Sequence, residues 1–192
     1  MKHNIYLKQG GISLIEILVA VFVVSVGLLG VARMEILAKQ SNAEAIQRTS
    51  ASQIAHDIIE KMRANPKELT AYVGQTLGSG GLTAPATNCD TTPCSTTEIA
   101  TWDLYQWEQS LIGANEKSGA NNTGGLDQPR GCITGPAGGG AGEYVVSIAW
   151  RGNAPMTNPT STACGNALGL YGTNEEFRRV LTLNLYISND GV

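Results

Sequence analysis

Residues 12–32 read ISLIEILVAVFVVSVGLLGVA, and this stretch sets the architecture of everything after it. It carries a single charge, Glu16. At a rise of 1.5 Å per residue, a helix of this length spans about 31 Å, close to the roughly 30 Å hydrocarbon core of a bilayer. The preceding segment, MKHNIYLKQGG, holds Lys2 and Lys8 and no acid. The positive-inside bias therefore keeps residues 1–11 in the cytoplasm and sends the remainder across. An oxidising extracytoplasmic compartment suits the four cysteines, Cys89, Cys94, Cys132 and Cys164.

Two kinds of processing compete. In a secretory signal peptide, Gly30-Val31-Ala32 would serve as a small-x-small cleavage site. The apolar run is longer than the usual signal, however, and it contains a carboxylate. A charge at mid-bilayer costs about 2.5–3.5 kcal/mol on insertion scales, and less near the edge. A plain signal or anchor gains nothing from Glu16, so an ionisable group in this position calls for a partner.

The stretch Lys8-Gln9-Gly10-Gly11-Ile12-Ser13-Leu14-Ile15-Glu16 resembles the class III leader of type IV pilins and their relatives. The resemblance implies cleavage by the prepilin peptidase between Gly11 and Ile12, N-methylation of Ile12, and a glutamate at the fifth mature position, which is Glu16. Phe is the commonest first residue in that family, and Ile12 departs from it mildly. The resemblance also implies that Glu16 meets the terminal amine of a neighbouring subunit as filaments assemble. In a low-dielectric core such a pair is favourable only when both charges are matched, so it acts on register more than on bulk stability.

After Arg33 the pattern turns amphipathic. Ile36, Leu37, Ala43, Ile46, Ser50, Ile54, Ile58 and Met62 recur at spacings of three and four. No proline intervenes before Pro66, and Asn65 is already biased away from helix. One helix of about fifty residues is expected, with Gly27 and Gly30 weakening its apolar half. The chain then divides into a leader (1–11), a membrane-spanning or filament-core half (12–33), an amphipathic half (34–65), and a globular periplasmic head with disulfides (66–192). One face of the amphipathic half is expected on the head and the other in filament contacts.

In the head, residues 74–97 read as a Gly/Thr/Pro-rich loop that Cys89 and Cys94 close locally. Residues 97–113 read as a helix that Thr97 could cap, with Ile99, Trp102, Leu104, Trp107, Leu111 and Ile112 forming its apolar face. Trp102 and Trp107 suggest either core packing or a sugar platform. Residues 113–142 read as mobile Gly/Asn-rich connections. Residues 143–151 (EYVVSIAWR) and 178–188 (RRVLTLNLYIS) alternate as strands, and 131–134 offers a shorter one. Arg178-Arg179, the adjacent basic pair of the head, reads as a solvated strand start in preference to a contact for an acidic partner. The fold class is α+β and pilin-like: a long N-terminal helix packed on an antiparallel sheet. Four cysteines allow three connectivities. The expected one is Cys89–Cys94 with Cys132–Cys164, the second clamping the long 152–177 loop across the sheet.

Composition removes several functions. The net charge is −3, and loss of Lys2 and Lys8 with the leader makes it more negative, so nucleic acid is not an expected partner. The only histidines are His3 and His56, and His56 is expected on a surface or in packing. No metal cluster, triad or phosphate loop is present in the sequence, so no enzyme and no cofactor is expected.

The apolar stretch SLIEILVAVFVVSVGLLGVARM, followed by GCI…EYVVSIAWR…C…RRVLTLNLYIS, resembles the PilV minor pilins, the type IV pilus modification family. That resemblance implies a low-abundance subunit, anchored by one span in the inner membrane and then carried to the pilus tip, where it takes part in starting assembly. It implies as partners other minor pilins, the major pilin, the prepilin peptidase, the inner-membrane assembly platform and a large tip adhesin. Roles in adhesion and twitching motility come with it. A minor pseudopilin of a type II secretion system is the nearest alternative, and a membrane-anchored periplasmic carbohydrate-binding module is one of another class.

Overall fold

The computed structural model describes Gly11 and residues 13–188. Leader residues 1–10 and Ile12 lie outside the described residues. The chain divides into two compact units, Met1–Asn42 and Ala43–Val192. Helix α1, Leu14–Ala64, begins in the first and ends in the second, running without a break through Gly27 and Gly30. Both glycines face open space, so nothing but intrinsic propensity acts on the helix there.

In the second unit a 3₁₀ turn (Pro66–Glu68) leads to the single-turn helix α2 (Leu69–Tyr72), strand β1 (Thr76–Leu77) and helix α3 (Thr96–Leu111). Strands β2 (Lys117–Ser118) and β3 (Asn121–Asn122) form a small hairpin. Strands β4 (Arg130–Thr134), β5 (Gly142–Arg151) and β6 (Arg178–Ile187) follow, and the main sheet is antiparallel in the order β1-β4-β5-β6. The α+β class expected from the pattern is the one observed.

The core lies between the sheet and the helices. From β5, Tyr144, Val146, Ile148 and Trp150 point inward, as their alternation requires, and β6 pairs Leu185, Leu183 and Leu181 opposite the first three. Ala51, Ala55, Ile58, Ile59 and Met62 of α1 and Ala100, Leu104, Trp107 and Leu111 of α3 close the other side. Gly131 on β4 permits this approach, because a Cβ there would lie 2.6 Å from the Trp107 ring and 2.8 Å from Leu111. Cys89 is bonded to Cys94, and Cys132 on β4 to Cys164 in the long loop.

Several expectations are corrected. The buried stripe of α1 starts at Ala51, while Ile36, Leu37 and Ile46 are exposed. Small residues at 51 and 55 open the stripe, which a count of large apolar side chains does not register, and the expected Ile58 and Met62 continue it. Ser95, not Thr97, caps α3: it is extended and forms a capping box with Glu98. Thr97 lies in the first turn and donates to Glu68 instead (3.2 Å). The 113–142 stretch is partly built in, since it contains β2, β3, β4 and the buried Leu126. Gly113 and Gly125 sit so close there that a Cβ on Gly125 would lie 2.3 Å from the Gly113 nitrogen.

Arg178 is not a solvated strand start. It is buried, and its guanidinium donates to the carbonyls of Pro159, Thr162 and Cys164 and to the Asn158 side chain. Arg179 is half-buried and meets Glu44 of α1 at 3.3 Å. The long loop has no ladder to satisfy its carbonyls, and the two cations supply the missing donors.

Candidate functional site

The first candidate is the start of α1. Gly11 is exposed, with open space where a side chain would stand. Ser13 accepts from the backbone N–H groups of Glu16 (3.0 Å) and Ile17 (3.3 Å), which begins the helix. Glu16 falls in the first turn, where a negative charge complements the helix dipole. Among the described residues Glu16 has no ion-pair partner. The Gly11–Ile12 bond and the Ile12 amine lie outside the described residues.

The large apolar side chains from Leu14 to Met34 are 53% to 79% exposed. A soluble monomer rarely exposes a contiguous apolar patch of more than a few hundred Å². Helix α1 is long and apolar enough, by length and composition, to cross a membrane. Ser25, the one hydroxyl inside this stretch, donates to the Val21 carbonyl (2.7 Å), so the helix satisfies it internally. Past Arg33 the surface becomes charged, and Glu35 and Lys39 pair at 2.9 Å one turn apart.

The second candidate is the head surface around α3. Its buried stripe includes two acids that the sequence reading did not single out. Glu108 is 1% exposed. Its Oε1 accepts from the amides of Gly78 (3.2 Å), Gly80 (2.9 Å) and Gly81 (3.3 Å), and its Oε2 from Leu82 (2.8 Å). Asp103 accepts from the Tyr72 hydroxyl at 2.6 Å, and Asn65 reaches that hydroxyl and the Thr96 carbonyl. Burial raises the Asp103 carboxyl above its ordinary value, and burial followed by the Asp103 bond drives the Tyr72 phenol far up. Burial also pushes Tyr171 up to about 12. A clue was available in spacing alone, because Ala100, Asp103, Leu104, Trp107, Glu108 and Leu111 keep helical periodicity.

Trp107 is fully buried and donates its indole N–H to the Ile54 carbonyl (3.1 Å). It is therefore a packing residue. Trp102 is half-buried, donating to Asp90 (3.1 Å). His56 is exposed on α1. Groups of three or more His, Cys, Asp or Glu able to hold a metal are absent among the described residues.

Comparisons with known proteins add two matches. Residues 6–32 match the prokaryotic N-terminal methylation motif, and residues 34–105 match the family described as Type IV pilin Tt1218. No curated protein and no solved structure matches the chain. The second match ends within α3, before the long strands of the sheet. The chain is thus similar, over adjoining segments, to the prokaryotic N-terminal methylation motif and to the Tt1218-like type IV pilins.

Proposed function

We propose that this chain is a minor pilin: a structural subunit cut between Gly11 and Ile12, methylated on Ile12, and held in the inner membrane by the apolar half of α1. Its head faces the periplasm until assembly places it near the tip of a type IV pilus, together with other minor pilins and the major pilin. In this reading the prepilin peptidase and the assembly platform act on it, and a tip adhesin is a further partner. The PilV-like order of cysteines and strands in the head supports the minor-subunit role.

The observation that carries the reading is the start of α1. An exposed apolar helix begins just after Gly11, holds one carboxylate at the fifth residue beyond it, and lies within the methylation-motif match. A lone carboxylate in hydrocarbon costs about 2.5–3.5 kcal/mol on insertion scales, and a neighbour's amine offsets that only where subunits are in register. Transfer from bilayer to filament leaves the apolar surface away from water throughout.

Mass spectrometry of the mature N-terminus, on membrane and sheared-filament fractions, tests the proposal. The expected result is a methylated Ile12 in both fractions. A start at Met1 or near Arg33 overturns it. Recovery from membranes alone, with Ile12 methylated, points to a secretion-system pseudopilin instead.

A further inference from the structure

A groove runs between the second half of α1 and α3. Its wider part, about 600 Å³, is lined by Asp57 and Lys61 of α1, Trp102, Tyr105 and Gln106 of α3, and Asp90 of the Cys89–Cys94 loop. Through Gln109, Ser110 and Asn115 it continues into a second hollow of about 420 Å³ that reaches Gln53. Cavities of roughly 300–1,000 Å³ are the usual size for small-molecule sites.

The chemistry of the walls is specific. Of the three tryptophans, Trp107 and Trp150 are 0% and 3% exposed, so Trp102 alone reaches solvent. Its indole N–H is held by Asp90, and Gln106 donates to both Asp90 oxygens (3.3 and 3.1 Å). Lys61 donates to Gln106 (2.9 Å) and pairs with Asp57 (3.3 Å). The disulfide closes the loop that carries Asp90. Tyr105 lies beside Trp102, the ring centroids 5.7 Å apart and the planes tilted by 40°. Among the described residues, the side chains of Gln53, Tyr105, Gln109 and Asn115 make no hydrogen bond within the chain. The groove therefore offers a braced aromatic surface followed by unengaged amide and hydroxyl groups.

Ligand classes separate on these walls. An amphipathic peptide needs a row of apolar anchors, and the lining is mostly amide and hydroxyl. Nucleic acid needs free cations, and Lys61 is already paired. A neutral sugar has an apolar C–H face that suits the electron-rich face of an indole. Its rim of hydroxyls both donates and accepts, as Gln and Asn side chains do. We propose that this groove binds a neutral oligosaccharide, with one ring stacked on Trp102 and the following units hydrogen-bonded by Gln109 and Asn115. The inference stands apart from the filament reading, since it uses only residues of the Ala43–Val192 unit and neither Ile12 nor Glu16.

The test uses the full chain in a detergent without a sugar headgroup, titrated with chitotetraose, cellotetraose and maltotetraose. Intrinsic tryptophan fluorescence, to which Trp102 contributes the solvent-reaching indole, reports on the parent protein, and calorimetry reports on parent and variants alike. At least one oligosaccharide is expected to give a saturable change with a Kd of about 1 mM or tighter. Trp102→Ala should weaken that binding at least about tenfold, and Gln109→Ala about fivefold with an unchanged melting temperature. Because the Gln109 side chain makes no hydrogen bond within the chain, its variant decides the matter even if Trp102→Ala folds poorly. No saturable signal from any of the three up to about 10 mM overturns the proposal, as does parent-like affinity in the Gln109→Ala variant.

Discussion

Replacing Glu108 with Gln should destabilise the head by about 3 kcal/mol, a figure that follows from its four partners. Gln keeps the volume of Glu but only one acceptor oxygen. In its better orientation that oxygen stays with Gly78, Gly80 and Gly81, and the new amide nitrogen faces the Leu82 N–H, which now sits 2.8 Å from a carboxylate oxygen. One bond to a charged acceptor is lost, worth about 1.5–3 kcal/mol, and a donor is left facing a donor. The three retained bonds weaken as well, because bonds to an ionised acceptor are roughly twice as strong as neutral ones.

For a unit the size of Ala43–Val192, each kcal/mol moves the melting temperature by about 2–4 °C, so the expected fall is roughly 6–12 °C. Near-UV circular dichroism of the full chain in detergent would read it, and hydrogen exchange would locate it at the amides of Gly78, Gly80, Gly81 and Leu82. Glu108→Ala should cost at least as much, since it strands all four donors and opens a cavity. A Gln variant melting within about 1 °C of the parent, with those amides still protected, would refute the reasoning. So would an Ala variant milder than the Gln variant, because water would then be satisfying the loop.

Arg178→Met should cost at least about 3 kcal/mol, because the carbonyls of Pro159, Thr162 and Cys164 lose their side-chain donor, at about 1–3 kcal/mol for each buried acceptor left unsatisfied; limited proteolysis should find new cuts in 152–177. Because burial raises the folded-state carboxyl of Asp103, its contribution to stability is full below the ordinary value of 3.8 and is lost as pH rises through the raised value. Asp103→Asn should therefore flatten the melting temperature against pH over that window, and an unchanged slope would count against it. Removing the Cys132–Cys164 bond, 32 residues apart, should cost about 3.7 kcal/mol from loop entropy, against roughly 2 kcal/mol for Cys89–Cys94, five apart; denaturant titration of the two double-serine variants compares them. Glu16→Ala should insert in the membrane normally yet be missing from sheared filaments, and its normal incorporation would remove the role given to Glu16.

What could be read from the sequence follows from how each element announces itself. The long helix and strands β5 and β6 run ten residues or more and repeat their pattern several times, so period alone identifies them and their inward faces. Strands β1, β2 and β3 are two residues each, too short for any period to show. Ile36 and Leu37 keep the phase of the buried seam, five turns before Ile54 and Ala55, but precede the Ala43–Val192 unit that holds the core, and Ile46 lies off the seam; period alone does not show where cover begins. The buried charges were missed for a different reason. Asp103, Glu108 and Arg178 look like surface residues in composition, and what makes them internal is backbone brought from far along the chain.

These charges also explain how a glycine-rich head with long loops stays ordered. Glu108 gathers the amides of Gly78, Gly80, Gly81 and Leu82, an anion taking donors. Arg178 gathers carbonyls from 159–164, a cation taking acceptors. Arg151 does the same at Leu170 while its guanidinium lies 4.6 Å over the Phe177 ring, and the Tyr171 hydroxyl donates to the Gln128 carbonyl (2.8 Å). In the Glu108, Arg151 and Arg178 cases a side chain from a helix or strand reads the backbone of a loop and largely ignores its side chains. Loop sequence is then free to change wherever the backbone path does not itself demand glycine, as it does at Gly78, where a Cβ would lie 2.6 Å from the Pro129 carbonyl oxygen. A head held this way can vary the side chains that these loops expose while α3 and the sheet stay fixed beneath them.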